Sequence, residues 1–287
     1  MESVPLAVAA AALSLLAPAP GWIHAARGPA GGTVWAGRIP NTYARWDRRQ
    51  SAIYLPPGYD PHRRYPVVYL LHGMRGSPSS IFRGMQLATV ADRLIVSGRA
   101  PFIAVLPVAG PILHPDAGEW AGVWEDYLVD DVVPWVDRHL PTIAAPQARA
   151  LEGLCAGGFG AVDIGLRHPG TFGMLGSWEG YFAPVFDDGP FVGATRAYLR
   201  AHDPTVLVRR DAAELRRSGI RFYVSAGGNH GRILRTWTIA FSHELQTLRL
   251  AHELWLLPAA ERGHFWRATL PSALAYADAS FSLSSRR

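Results

Sequence analysis

The stretch that most constrains the fold is Leu151-Glu152-Gly153-Leu154-Cys155-Ala156-Gly157-Gly158-Phe159. It reads as a buried strand that stops and turns at once into a helix, with Cys155 at the apex and glycines two residues before and two after it. Strand and helix meet more closely in such a turn than a Cβ would allow, so the Gly-x-nucleophile-x-Gly spacing is a steric requirement. The helix beyond begins with backbone N–H groups that have no intrahelical acceptor, and its positive dipole end faces the apex. Free cysteines are more often small buried hydrophobes, and Gly157-Gly158 alone reads as a loop. The flanks favour the elbow: Ala148–Glu152 looks like the end of a strand, and Phe159–His168 a helix closed by Pro169-Gly170.

Around this elbow, strands and helices alternate. Thr33–Arg38 and Gln50–Leu55 alternate apolar and polar residues, as half-buried strands do. Pro66–Leu71 and Phe102–Pro107 are continuous apolar runs, the pattern of strands covered on both faces. A helix capped at Ser79-Ser80 is expected to run to about Val96, and one from Glu119 to His139 to kink at Pro134. Downstream, Phe172–Ser177, Ile220–Ala226 and His252–Leu257 read as strands, and Ile233–Leu250 and Trp266–Ala279 as helices. Residues 183–218 interrupt the alternation as an insertion. The pattern predicts an α/β protein with a mostly parallel central sheet and helices on both faces.

The 287 residues, 49% hydrophobic and 18% charged, suit one large α/β domain, taken as 29–287. Residues 1–28 are expected to be a signal peptide or N-terminal anchor, because Leu6–Ala17 is an apolar run of signal-peptide length followed by Pro18-Ala19-Pro20-Gly21. Export is the expectation, with membrane or cell-envelope association as its variant. Gly28–Gly32 reads as a linker. The net charge of +5 comes from scattered arginines without a basic block, so no nucleic-acid partner is expected. The single cysteine excludes an intramolecular disulfide and any cysteine-rich metal site. Glu125, Asp126, Asp130 and Asp131 at helical spacing read as a solvated face, so no metal is expected.

A thiol nucleophile needs a base, and the base an orienting group. His264, in the loop after the last predicted strand, is the candidate base among eleven histidines, since nucleophile first and histidine last is a recurrent order. Oxyanion stabilisation would come from the backbone N–H groups of Ala156 and, in the loop after Pro66–Leu71, Met74. His72 in that loop reads as a loop hydrogen-bonding residue. The third member is open. The exit loop Gly227–Gly231 contains no carboxylate, which leaves Glu179, after the preceding strand, or the amide Asn229. Trp178, Tyr181 and Phe265 are candidates for an apolar acyl pocket, although core packing is the commoner fate of such aromatics.

At these residues the chain resembles the esterase-D-type branch of the α/β hydrolases, which includes enterochelin and feruloyl esterases, S-formylglutathione hydrolase and secreted mycolyltransferases. The resemblance runs from about Tyr54 to Tyr276. It rests on Tyr54-Leu55-Pro56-Pro57-Gly58-Tyr59, Tyr65–Gly73, the elbow, Arg167-His168-Pro169-x-x-Phe172 and Gly263-His264-x-Trp266. Tyr69-Leu70-Leu71-x-Gly73-Met74-Arg75 is most similar to the mycolyltransferases, and Arg75 beside the second oxyanion donor becomes a candidate substrate contact. The resemblance implies the α/β-hydrolase fold, Cys155 as nucleophile, His264 as base, Met74 and Ala156 as the oxyanion hole, and no cofactor. Cysteine stands where serine is usual, as in the similar dienelactone hydrolase, and the acid usual after the penultimate strand is missing.

The expected function is an exported hydrolase or acyltransferase acting on a small-molecule, lipid or sugar ester or thioester through a Cys155 acyl-enzyme. A thiol beside an imidazole and a helix N-terminus is expected to have a lowered pKa. The alternative is a catalytically inactive binding or cell-envelope protein of the same fold. A membrane-tethered structural module is a third reading, resting on the N-terminal run alone.

Overall fold

Val67, Tyr69 and Leu71 face one side of a sheet and Val68 and Leu70 the other, and all five are buried. A strand alternates its side chains between two faces, so an unbroken apolar run is what two covered faces require. The computed structural model describes residues 17–43, 50–110, 120–184, 191–227, 232–258 and 262–284.

Its strands are β1 (Ile23–Arg27), β2 (Thr33–Gly37), β3 (Ser51–Leu55), β4 (Val67–Leu71), β5 (Ile103–Leu106), β6 (Arg149–Leu154), β7 (Met174–Trp178), β8 (Arg221–Ala226) and β9 (Ala251–Leu256). They form one sheet in the order β1-β2-β3-β5-β4-β6-β7-β8-β9. β1, β2, β3 and β5 pair antiparallel, and the pairs from β5 through β9 are parallel. This is the expected α/β architecture, and it puts the loops after β4, β6, β7 and β8 at one end of the sheet.

Two apolar layers sandwich it. On one face Tyr69, Leu151 and Val224 pack with residues of Val123–His139, of Ala156–Arg167 and of Arg232–Thr247. On the other, Val68, Leu70 and Tyr223 pack with Leu87 and Ala91 of Leu87–Val96 and with Leu270 and Leu274 of Arg262–Ser284. In chain order the helices are α1 (Pro78–Phe82), α2 (Leu87–Val96), α3 (Val123–Asp126), α4 (Val133–His139), α5 (Ala156–Arg167), α6 (Arg196–Ala201), α7 (Pro204–Arg210), α8 (Ala212–Ser218), α9 (Arg232–Thr247) and α10 (Arg262–Ser284). Helices α6–α8 lie between β7 and β8. No helix of the described residues is long and apolar enough to cross a membrane.

Five expectations are corrected. Gly28–Gly32 is a hairpin turn, not a linker: Gly28 N–H bonds to Gly32 O at 2.8 Å. Buried Asp92 ties that turn down, accepting from Ala30 N–H at 2.7 Å and from Tyr54 OH at 2.8 Å. A leader reaching residue 28 would therefore include β1 and Trp22, which stacks on Trp135 at 5.5 Å between ring centroids. The domain begins upstream of 29, and residues 1–16 lie outside the described residues. The helix expected from Ser79 to Val96 is broken in two, because Gln86 takes a left-handed φ of 55° between α1 and α2. The stretch around Pro134 does not simply kink. A π-helical segment, Tyr127–Val132, precedes α4, which starts with that proline in its first turn. The wider turn accommodates the missing proline N–H. The closing helix is also longer than Trp266–Ala279, spanning Arg262–Ser284.

Candidate active site

Cys155 follows β6 and caps α5 with φ 54° and ψ −118°, a conformation unfavourable for any residue with a Cβ. Surrounding contacts hold it there. Cys155 N–H donates to Trp178 O on β7 at 3.0 Å, and Cys155 O accepts from Gly158 and Phe159 N–H at 2.9 and 3.0 Å. A Cβ on Gly157 would stand 2.3 Å from Leu71 O, and one on Gly153 the same distance from Gly157 O. The two glycines thus let α5 press against the ends of β4 and β6, leaving the thiol partly exposed at the apex.

The loop after β4 closes on this apex. A Cβ on Gly73 would lie 3.2 Å from Cys155 Cβ. His72 is buried, and its Nε2 accepts from Ala109 N–H at 3.1 Å, so the ring proton sits on Nδ1 and is donated to Gly73 O at 2.9 Å. Gly73 O also accepts from Gly76 N–H at 2.9 Å, closing a turn in which Arg75 has φ 58°. In a trans peptide the N–H points opposite to the carbonyl, so these two bonds turn the Met74 N–H away from His72 and Gly76. Trp120, a residue with no recognisable role in the sequence, donates from Nε1 to His72 O at 2.9 Å. Its side chain lies over Gly160 of α5. Met74 is partly buried and Arg75 exposed. Ala156, the first residue of α5, supplies the other proposed N–H.

Glu179 follows β7 directly. It is buried, has φ 54°, and donates its N–H to Ser225 O at 2.7 Å. The carboxylate converges with the Phe265 ring on Gly227, the first residue after β8: a Cβ there would meet Phe265 Cδ2 at 3.0 Å and Glu179 Oε1 at 3.3 Å. His264 precedes Phe265 in the first turn of α10. Its side chain, and the whole of Asn229, lie outside the described residues.

The remaining candidates go to packing. Trp178 is fully buried in the layer under α10, its Nε1 donating to Glu152 Oε2 at 3.0 Å, so it belongs to the core rather than to a pocket wall. Tyr181 is buried and stacks on Phe159 at 4.8 Å, and Phe191 from the insertion meets the same ring edge-on at 5.8 Å. Phe265 is buried as well. Three of the four acids of the 125–131 stretch have protein partners. Glu125 accepts from Arg167 Nε at 2.8 Å and His168 Nε2 at 2.7 Å. Burial pushes its carboxyl up, but those two bonds together outweigh it and hold the group below its ordinary value. Asp130 accepts from Tyr43 OH and Asp131 from Thr42 N–H. No group of three metal-ligating side chains occurs among the described residues.

Residues 45–274 match the family model named "Esterase", described as "Putative esterase". The chain belongs to this esterase family. The chain is 33% identical over 137 residues to an endo-1,4-beta-xylanase/feruloyl esterase of Xylanibacter ruminicola, 45% of this chain and 19% of that protein. It is 29% identical over 153 residues to an esterase of Mycobacterium tuberculosis, 51% of this chain and 32% of that one. The matched segments thus cover less than a third of either relative. Among solved structures, a ferulic acid esterase superposes with a TM-score of 0.75 at 21% identity, over 87% of this chain and 99% of that one. An S-formylglutathione hydrolase from Agrobacterium tumefaciens gives 0.70 at 18% identity, over 90% and 98%. These likenesses establish the α/β-hydrolase fold of the chain.

Proposed function

We propose that this esterase-family chain cleaves or transfers the acyl group of an ester or thioester through a covalent acyl-enzyme on Cys155. The observation that carries the reading is the placement of backbone strain. Arg75, Cys155 and Glu179 are three of the five non-glycine residues with positive φ among the described residues, and they stand in the loops after β4, β6 and β7. Strain of this kind persists where surrounding structure over-determines it, and it gathers at active sites.

In the proposed reaction His264 takes the thiol proton and Cys155 Sγ attacks the acyl carbon. The resulting oxyanion is met by the N–H groups of Ala156 and Met74. The bond to the leaving alcohol or thiol breaks, and that group takes the proton from the imidazolium. Water, or an acceptor hydroxyl in the transferase variant, then attacks the thioester with the same histidine as base, releasing the acyl group and the free thiol. Glu179 is the proposed orienting acid, because it is buried beside the residue that follows His264; Asn229 is the alternative. The relatives' names support a small-molecule ester as substrate. Export, proposed from the Leu6–Ala17 run, is read out by where the full-length chain accumulates in a fractionated host.

The deciding experiment is intact-protein mass spectrometry after brief exposure to a short-chain p-nitrophenyl ester or an acyl thioester, beside Cys155→Ala and His264→Ala. An acyl adduct localised to Cys155 and lost in His264→Ala is expected, with iodoacetamide alkylating Cys155 faster than a free thiol near neutral pH. No adduct and ordinary alkylation would leave the inactive binding-protein reading in its place.

A further inference from the structure

The end of the sheet opposite Cys155 carries a concavity. It is a groove of about 700 Å³ at the starts of the parallel strands, bordered by Pro66 before β4, Pro101 before β5, Ala148 before β6 and Arg221 at the head of β8. Arg149 and Cys155 are six residues apart along an extended strand, so the groove lies roughly 20 Å from the thiol. Its size falls in the range of small-molecule sites.

Two properties fix the chemistry it fits. Four guanidinium groups, Arg63, Arg64, Arg217 and Arg221, line it together with no carboxylate. Among the described residues none of the four pairs with an acid. Asp278, bonded to the lining residue Ala100 through its N–H at 3.2 Å, is engaged by Arg99 at 3.4 Å. Arg221 is held in place rather than swinging in solvent: its guanidinium lies over the Tyr276 ring at 5.2 Å, and its Nε is buried without a protein partner. The second property is apolar. Ile143, 39% exposed, and Phe281 face the same space. Guanidinium forks match planar anions, and an apolar wall beside them matches a hydrocarbon body.

We propose that this groove is a binding site for an amphipathic monocarboxylate, a carboxylate headgroup held by Arg217 and Arg221 with its alkyl chain along Ile143 and Phe281. The proposal is independent of the chemistry assigned to Cys155.

It is tested with the full chain after its thiol has been blocked with iodoacetamide, so that binding near Cys155 is not what is measured. Titration calorimetry would compare dodecanoate with dodecanol, acetate and inorganic phosphate. Dodecanoate is expected to occupy a single saturable site, at least about tenfold more tightly than the other three, and to weaken as salt rises from about 20 to about 500 mM. Arg217→Gln and Arg221→Gln should each weaken it by about tenfold or more, with Arg221→Lys intermediate. Arg217 is exposed and unpartnered, so its variant carries the test even if Arg221→Gln unfolds. Dodecanol binding as tightly as dodecanoate, acetate or phosphate binding as tightly, Arg217→Gln binding like the parent, or no saturable binding would each overturn the proposal.

Discussion

Trp120 donates its indole N–H to the carbonyl of His72 at 2.9 Å, and so ties the loop that meets Cys155 to a side chain lying over the elbow helix. Trp120→Phe keeps most of the ring and deletes the donor. A buried carbonyl left without its partner costs about 1–3 kcal/mol, and here the loss falls on the peptides that orient Met74. If that N–H serves the oxyanion, the missing interaction is one made mainly in the transition state. The expected result is a kcat roughly tenfold lower with KM little changed, which corresponds to about 1.4 kcal/mol. Steady-state kinetics check it; an unchanged kcat would remove Trp120 and His72 from the positioning of the loop.

Gly157→Ala tests the elbow itself. The added methyl would stand 2.3 Å from Leu71 O and 2.7 Å from His72 O, both backbone atoms that no rotamer change moves aside. Gly170 is the control, since it has a φ of 82° and nothing within 4 Å of its missing Cβ. Gly170→Ala meets only the left-handed backbone penalty, about 1–2 kcal/mol. Gly157→Ala should cost clearly more, about 3 kcal/mol or above. Urea unfolding of the two variants decides it, and equal costs would contradict the close contact of α5 with the end of β4.

Why the elbow was legible while Trp120 was not follows from the range of the constraint. Gly153, Cys155 and Gly157 satisfy a steric demand within five residues, and β4 and β5 bury both faces, so their apolar runs are unambiguous. The Trp120–His72 bond spans 48 positions and leaves no local pattern. Strand β1, Ile-His-Ala-Ala-Arg, is mostly exposed at the sheet edge, so no apolar period marks it. It therefore falls within the expected leader. Gln86 has nothing in its residue type that demands a left-handed φ, so the sequence predicts one helix where α1 and α2 stand. In the sequence Glu179 has only its topological address; its burial and strained backbone emerge only when β7 and β8 pair.

Glu179→Gln separates the two candidates for orienting His264. An amide cannot stabilise an imidazolium as a carboxylate does. If Glu179 has this role, kcat/KM should fall by about a hundredfold or more, with Asn229→Ala close to the parent. Glu179→Asp should recover only part of the loss, since the shorter side chain draws the carboxylate back toward its own strained backbone. Kinetics of the three variants over the pH range of the parent provide the check, and a large loss in Asn229→Ala with little in Glu179→Gln would transfer the role to the amide.

Glu152, three residues before the nucleophile, gives a prediction about stability. It is fully buried, its Oε2 accepts from Trp178 Nε1 at 3.0 Å, and its Oε1 has no hydrogen-bond partner. Burial raises its carboxyl to about 8, with the indole bond pulling weakly the other way. The folded protein therefore keeps this acid protonated at pH 7, whereas the unfolded chain ionises it near its ordinary value. Below that value both states hold the proton and the group costs nothing. As pH rises toward 8 the unfolded state alone releases it, so stability declines across the window from about 4.5 to 8 and levels off above it. Glu152→Gln keeps the shape and an acceptor for Trp178 but has no proton to lose. It should abolish that part of the slope and leave the variant more stable than the parent at pH 8, while near pH 4 the two differ little. Urea unfolding at a series of pH values measures this directly; parallel profiles for parent and variant would mean that Glu152 ionises in the folded core.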